Sequence, residues 1–593
     1  MGESSLRHRL ARRTRFLPRI AARLPWWVSA LVGLGAAGLG LLLMTRPLSA
    51  VGVLAVYVGL SCLASGVADL TAHRRDGPVP APSAALGLGW IVLGVAVLVW
   101  VGTAVELLPR VVAVALLVSG AVKCLQAWRG TPDERLAAVL FGAADIGFGA
   151  LALAWPDVTL LVVAVLFGAR TVLFGLAQVW AAVGRRVGRA GPARPGRAAT
   201  GVRRWSRSIG AGLAAAAALA ALVITGRIDA GSPVVDGFYT APDDRPDRPG
   251  VLLRHEPFGR DVPADAKAWR ILYTTTRDDG VPAVASGLVV APAAPATTPR
   301  PVIAWAHGTT GYAANCAPSL LPSPFTAGAL PALDRILGPG RVLVATDYTG
   351  LGTAGPQPYL IGQGEARAVL DAVRAARQLD QLRLAAETVV WGHSQGGHAA
   401  LWTAQIQPTY APDVPLSGVA AMAPAADTLA LTRHLPQVRG GSVFASFVIE
   451  AYARTYPDVD LDDYVIPSAR ILVREMATRC LAEPGLFVSV LDALSIDRDR
   501  PIYARDPTGG SLGRRLAQNT PTGPFEMPVL LAQGASDPLV TLAIQDSYVA
   551  GLAAAGQRVD YRTYAGRDHM GLVAADSPLI SDLVTWTGRL LHP

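Results

Sequence analysis

Of all the residues in this 593-residue chain, Ser394 has the surroundings best suited to covalent chemistry. It sits in Gly392-His-Ser-Gln-Gly396, after an apolar run that ends at Trp391 and before a helix expected to begin at Gln395. On so tight a strand-to-helix turn, side chains two residues either side of the serine would strike neighbouring backbone, so glycine is needed at both places. The helix start aims free N–H groups at any oxyanion that forms beside the hydroxyl. A serine hydroxyl is a weak nucleophile until a base takes its proton, and two later segments offer the partners. Val529-Leu-Leu-Ala-Gln-Gly-Ala-Ser-Asp537 brings an aspartate just past an apolar run, and Gly566-Arg-Asp-His569 brings a histidine just past the next. The chemistry of such a set is attack on a carbonyl carbon. His569 takes the Ser394 proton and then protonates the leaving group, while Asp537 holds the imidazole tautomer. Gln395 would give one oxyanion N–H, and Thr309 in Ala306-His-Gly-Thr-Thr-Gly311 the second. Losing one such donor typically costs about 100- to 1000-fold in rate.

Each residue also has a plainer reading. The glycine–serine pattern alone fits a Gly-rich turn. Asp427 rivals Asp537, which is preferred because its loop comes just before the histidine strand. His393 and His398 flank the serine but point away from it on such a turn, and His307 reads as a support for the Thr309 loop. No group of histidines and carboxylates has zinc spacing, so neither a metal nor another cofactor is inferred.

The elements that must carry these residues are the stretches 270–276, 285–290, 301–306, 341–346, 388–391, 418–422, 529–532 and 559–564, all read as strands. Several are continuously apolar, as strands covered on both faces are. Between the fourth and fifth, apolar residues at 366, 369, 370, 373, 376 and 379 mark one face of a helix. The expectation is an open, mostly parallel α/β sheet with its chemistry on loops at the strand carboxyl ends. The order Ser394, Asp537, His569 is that of α/β-hydrolases. From about 425 to 526 the chain leaves the sheet, and a structureless loop of that length is implausible, so a helical cap is expected there. Its run from Val443 to Ile449, with Tyr452, Tyr456 and Tyr464, either lines an acyl site or forms the cap's own core. Cys316 and Cys480 are the two cysteines of this half. An oxidising exterior would allow one disulfide between them, tying the cap to the Thr309 loop.

His307-Gly-Thr, Cys316-Ala-Pro-Ser, Asp347-Tyr-Thr-Gly-Leu-Gly352, Gly392-His-Ser-Gln-Gly-Gly-His398 and the Asp537 and His569 segments together resemble the secretory lipase family of α/β-hydrolases, over about residues 235 to 590. The resemblance implies a carboxylic ester hydrolase, often acting on acylglycerols, with Ser394 as nucleophile, Asp537 as acid and His569 as base. Family members are usually free secreted enzymes, whereas this chain has a long apolar half before the resemblance begins.

That first half accounts for the composition, which is 51% hydrophobic and 16% charged, with a mean hydropathy of +0.36. The net charge of +9 looks like a nucleic-acid signal until it is divided by position. Residues 1–226 hold 23 Lys+Arg against 8 Asp+Glu, and the remainder holds 30 against 36. The basic excess therefore belongs to the apolar half and reads as membrane topology, with no nucleic-acid partner. Seven spans are expected, at 26–44, 48–70, 84–101, 111–128, 136–155, 158–183 and 209–224, each near the ~20 residues that cross a bilayer. Gly38 to Pro47 is matched by Gly147 to Pro156, and Gly94 to Pro109 is a looser copy. Three tandem hairpins, each turning at a proline, follow from this pattern. Residues 26–183 thereby resemble the HdeD-like acid-resistance membrane family, which implies a six-span all-α module and no particular chemistry.

The arginines at 7–23, Arg74-Arg75, the Lys123 to Arg135 loop and Arg185 to Arg207 fall on one side if the spans alternate, and that side is expected to be cytoplasmic. The domain reading is a cytoplasmic N-terminus at 1–25, the six-span domain at 26–183, a basic linker at 184–207, a seventh span at 208–226, an exposed tether at 227–250, and the hydrolase at 251–593 outside the cell. Asp145 and Arg170 lie near mid-depth and are expected to pair. Three functions compete: a membrane-tethered lipase or esterase, an acyltransferase or amidase on envelope molecules, and a membrane module with a sensing domain of hydrolase fold. The physiological ester and the oligomeric state are not legible.

Overall fold

The computed structural model describes residues 25–72, 81–128, 131–186, 197–499 and 502–591. The N-terminal arginine cluster, Arg74-Arg75, Arg129 and residues 187–196 of the basic linker lie outside them. The chain divides near Thr225 into two compact units.

The first unit is helical: α1 (Trp26–Thr45), α2 (Pro47–Ala72), α3 (Ala81–Val99), α4 (Val101–Gln126), α5 (Pro132–Ala154), α6 (Pro156–Arg186) and α7 (Arg197–Gly231). Six contain a stretch long and apolar enough to cross a membrane, and in α3 the apolar stretch Gly87–Val99 is shorter. Leu31, Val92, Leu166 and Leu213 are exposed on helix surfaces, the pattern of helices that face hydrocarbon rather than water. The chain is thus built as a multi-pass membrane protein.

The closest helix pairs differ from three self-contained hairpins. Packing is tightest between α2 and α3, between α4 and α5, and between α1 and α6. Each hairpin leans on the next, and the last closes on the first. The second helices of the hairpins, α2, α4 and α6, also touch one another. Glycines make these approaches. A Cβ on Gly66 would lie 2.5 Å from the Gly87 carbonyl oxygen, one on Gly120 2.6 Å from that of Gly142, and one on Gly40 2.7 Å from that of Gly168. Small residues let helix backbones meet where lipid provides no hydrophobic drive. The middle repeat turns at Trp100, not at Pro109, which lies inside α4. Val101 therefore corresponds to Pro47 and Pro156, and a proline inside a membrane helix is tolerated because neighbouring helices re-satisfy the freed backbone. Asp145 pairs not with Arg170 but with Lys123 on α4, and accepts a 2.6 Å bond from Ser119 Oγ. Arg170 is exposed on α6. The α4–α5 register brings Lys123 and Ser119 to the aspartate.

The second unit is built on nine strands: β1 (Leu252–Phe258), β2 (Ala266–Thr276), β3 (Pro282–Pro292), β4 (Arg300–Ala306), β5 (Val342–Thr349), β6 (Leu384–His393), β7 (Leu416–Met422), β8 (Val529–Gly534) and β9 (Asp560–Tyr564). Their order is β1-β2-β3-β5-β4-β6-β7-β8-β9. The first three are antiparallel and the rest parallel. This is the α/β-hydrolase arrangement with one extra strand at the start. Its helices longer than five residues are α8 (Gly362–Ala376), α9 (Gln395–Tyr410), the cap helices α10 (Thr428–His434), α11 (Gly441–Thr455), α12 (Arg470–Met476), α13 (Leu486–Asp499) and α14 (Gly510–Gln518), then α15 (Leu542–Ala554) and α16 (Pro578–Leu591). Val302, Ala304 and Ala306 enter one core with α8 and α9, while Ile303 and Trp305 enter the other with α16. Both faces are covered, hence the unbroken apolar runs. The chain steps from β4 to β5 on one side and to β6 on the other, so the carboxyl ends of β4 and β6 flank the crevice where such sheets bind ligands.

Two features depart from expectation. β1 has no alternating pattern and contains Pro257, which an edge strand tolerates because its outer N–H groups have no partner strand. The stretch 227–250 is not a free tether. α7 continues to Gly231, and Phe238 and Tyr239 are buried against Leu272 and Val284. Arg270 lies over the Phe238 ring at 4.2 Å and bonds Asp236 at 2.8 Å. Two adjacent aromatics outweigh the polar composition around them.

Candidate active site

Ser394 stands between β6 and α9 with φ 58° and ψ −118°, a left-handed strain that only a well-braced turn sustains. A Cβ on Gly392 would land on the Gly396 carbonyl oxygen, and one on Gly396 on the Ala306 carbonyl oxygen. Those two glycines are therefore required by contact. The turn is pinned to the end of β7: the Ser394 N–H donates to Met422 O at 2.9 Å, and the Ala425 N–H donates to Ser394 O at 3.1 Å.

His569 follows β9 and meets the serine, with Nε2 2.9 Å from Ser394 Oγ and Nδ1 2.7 Å from Asp537 Oδ2. The Asp537 carboxylate is buried, and its other oxygen accepts from the Leu539 and Val540 N–H groups at 2.8 and 3.0 Å. Because the carboxylate only accepts, Nδ1 carries the proton and the Nε2 lone pair faces the serine hydroxyl. Asp427 lies elsewhere in this scheme. It caps α10, accepting from Ala430 N–H at 2.9 Å.

Three further histidines beside the serine turn are supports. Buried His393 has Nε2 3.0 Å from His569 O, and burial, then the nearby His569, push its pKa down to about 3. His307, also buried, has Nδ1 2.7 Å from Gly308 O, and burial pushes its pKa down to about 4. His398 lies behind the turn with Nδ1 2.8 Å from Glu365 Oε2.

Gln395 opens α9, so its N–H is among the first-turn donors without a helical acceptor. Thr309 follows β4, and its Oγ1 lies 3.0 Å from Tyr359 OH. The next residues are tied to the cap. Cys316 and Cys480 form a disulfide, Gly311 and Cys480 share a β-bridge, and Leu481 N–H donates to Thr310 O at 2.8 Å. Ser394 opens into a narrow, nearly closed cleft lined by Tyr359, Leu360, Ala425, Leu431, Leu435, Phe444, Val448, Leu539 and Val540. One α11 stripe, Phe444 and Val448, faces the cleft, while Phe447 and Ile449 are fully buried. The cap run thus serves both purposes. Glu365, Asn519 and Gln533 also border the site, and sequence reading missed them. Glu365 sits beside the apolar positions of its helix, but in a first turn where an acid is ordinary.

Residues 329–587 match the secretory lipase family, and residues 31–80, 85–151 and 140–194 match a short repeat of unknown function (DUF308). The second unit thus carries a secretory lipase family domain, and the first carries the short repeats. It is 24% identical over 367 residues to Lipase A of Moesziomyces aphidis, covering 57% of this chain and 76% of that one. It is 30% identical over 245 residues to the secreted triacylglycerol lipase LIP4 of Malassezia globosa, covering 38% and 51%. A Mycobacterium tuberculosis protein named a probable inactive lipase is 27% identical over 385 residues, covering 58% and 80%. Among solved structures, Candida antarctica lipase A aligns with a TM-score of 0.46 at 19% identity, over 56% of this chain and 81% of that one. The lipase or esterase domain therefore follows a set of membrane helices.

Proposed function

We propose that this protein is a membrane-tethered serine hydrolase of carboxylic esters, with acylglycerol-like lipids as the substrate class. The observation that carries the reading is the unbroken contact from Ser394 Oγ through His569 to Asp537, at 2.9 and 2.7 Å, at the mouth of an apolar cleft. Ser394 Oγ attacks the ester carbonyl carbon as its proton passes to His569 Nε2. The tetrahedral oxyanion takes hydrogen bonds from the Gln395 and Thr309 backbone N–H groups. Collapse expels the alcohol, which leaves with the proton from His569, and water then releases the acid by the same route. Asp537 stabilises the imidazolium in both steps. No cofactor enters.

The cleft wall favours an acyl chain, since its lining carries no charged side chain. We place the hydrolase outside the cell and residues 1–25 and 184–207 in the cytoplasm, because the basic excess of the apolar half falls on one side of alternating spans. Domain limits of 26–183 for the six-helix module, 208–231 for the last span and about 232–593 for the hydrolase, whose core includes Phe238 and Tyr239, with a cap at about 425–526, go with that placement. A second reading, a hydrolase fold retained for sensing or binding, is favoured by the relative whose name calls it inactive. Transfer of the acyl group to an envelope acceptor would use the same serine. The test is hydrolysis of a panel of esters of increasing acyl length by wild type and Ser394→Ala. Activity lost in the variant supports serine catalysis, and equal rates in both would remove it.

A further inference from the structure

Glu365 has no part in the reaction above, yet its carboxyl is completely buried behind the serine turn. Burial pushes its pKa up, and an acid in that position is costly unless donors surround it. Two donors and a histidine ring nitrogen converge on it. Gln395 Nε2 and the Leu360 backbone N–H donate to Oε1 at 2.8 and 3.1 Å, and His398 Nδ1 lies 2.8 Å from Oε2. The other His398 nitrogen, Nε2, donates to Asn519 O at 2.7 Å, an oxygen that also accepts from Trp402 Nε1 at 3.0 Å. Asn519 Oδ1 in turn accepts from Gly362 N–H at 2.9 Å.

We propose that Glu365 and His398 are a positioning pair that fixes the oxyanion donor of Gln395. Gln395 and His398 are three residues apart in the first turn of α9, so both side chains leave the same face of the helix. One carboxyl grips both, and so sets where the first N–H of α9 points. The same carboxyl holds Leu360, which lines the cleft, and through His398 it reaches Asn519, where α14 of the cap ends. The first turn of the nucleophile helix, the cleft wall and the end of the cap thus share one brace. An oxyanion site works by being in place before charge develops, and tolerates displacements of only about 0.5 Å. Three elements meeting on one buried acid provide that rigidity. The inference rests on the serine-hydrolase reading.

The test uses the full chain in detergent and compares wild type, Glu365→Ala, Glu365→Gln and Ser394→Ala for ester turnover and for binding of a boronic acid that mimics the tetrahedral adduct. Glu365→Ala should lower kcat by roughly tenfold or more. Its KM should stay within about twofold, and boronate affinity should fall in step with kcat. Glu365→Gln keeps an acceptor for Gln395 and Leu360 and a partner for His398, so it should recover most of the lost kcat. Should Glu365→Ala fail to fold, His398→Gln carries the same expectation. An unchanged kcat in folded Glu365→Ala, or a Gln variant as impaired as the Ala variant, overturns the pair. If Ser394→Ala hydrolyses as wild type does, the serine reading falls and the pair with it. If Ser394→Ala is inactive while Glu365→Ala keeps wild-type kcat, the pair alone falls.

Discussion

His393 touches the backbone of the proposed general base, and a charge there would oppose the imidazolium that His569 must become. Burial removes that conflict by holding His393 neutral, its pKa pushed down to about 3, as it holds His307 at about 4. The sign of the linkage follows directly. The unfolded chain takes a proton on each histidine near pH 6.5, and the folded chain does not until well below that, so the unfolded state binds more protons in between. Stability is therefore full above pH 6.5 and is lost as pH falls towards 4, at no more than about 1.4 kcal/mol per pH unit for each histidine. Thermal midpoints of the hydrolase transition measured from pH 7 to 4 should fall less steeply in His393→Gln than in wild type. Equal slopes would mean that His393 is not held neutral. At this scale, legibility depended on position in the chain. Ser394, Asp537 and His569 each follow a stretch that reads as a strand, so the segments that carry them are readable, while their meeting is a matter of the sheet. Glu365 was not readable as a participant, because an acid in the first turn of an amphipathic helix also suits the helix dipole in water. Asp145 was given the wrong partner because the register between two helices is absent from the pattern of either one.

The cap and the Thr309 loop are separate elements joined by Cys316–Cys480, two residues 164 apart in sequence. A link across so long a segment restricts the unfolded chain, and such bridges contribute about 2–5 kcal/mol. It also fastens the Thr309 loop, with the proposed second oxyanion donor, to the cap that walls the cleft. Cys316→Ala/Cys480→Ala should lower the thermal midpoint of the hydrolase transition, and dithiothreitol should do the same to wild type but not to the double variant. A midpoint indifferent to both treatments would show that the bridge restrains nothing. The central strands, β8 above all, were legible because burial on both faces writes itself as apolar runs, and β9 by the alternation of Val559, Tyr561 and Thr563 with polar residues. β1 was not, since an edge strand with Arg254, Glu256 and Pro257 looks like loop. The middle membrane turn was misplaced for the opposite reason. Pro109 is a strong punctuation mark in sequence, yet α4 continues through it, while the real turn at Trp100 has no proline to announce it.

At the scale of the whole molecule, hydropathy alone separates the two units, and the charge split of a basic first half and an acidic second half agrees with that division. What hydropathy misjudged was the junction. Polar residues dominate 227–250, but Phe238 and Tyr239 are part of the hydrolase core, so the hydrolase begins before its first strand. This sets where the chain can be cut. A protein starting at Ser232 keeps both aromatics and should turn over soluble esters at the full-length rate. One starting at Ala241 loses both and should be less stable by more than about 3–5 kcal/mol, the usual cost of deleting one large buried aromatic. On lipid vesicles the Ser232 protein should fall behind the full-length protein reconstituted in the same lipid, because anchoring converts a search in solution into one within a few nanometres of the surface and raises the effective substrate concentration accordingly. Comparing the two proteins on a soluble ester and on acylglycerol vesicles separates the effects. Equal loss on both substrates would mean that truncation damages the fold, and equal rates on vesicles would mean that the membrane helices do something other than hold the serine near its substrate.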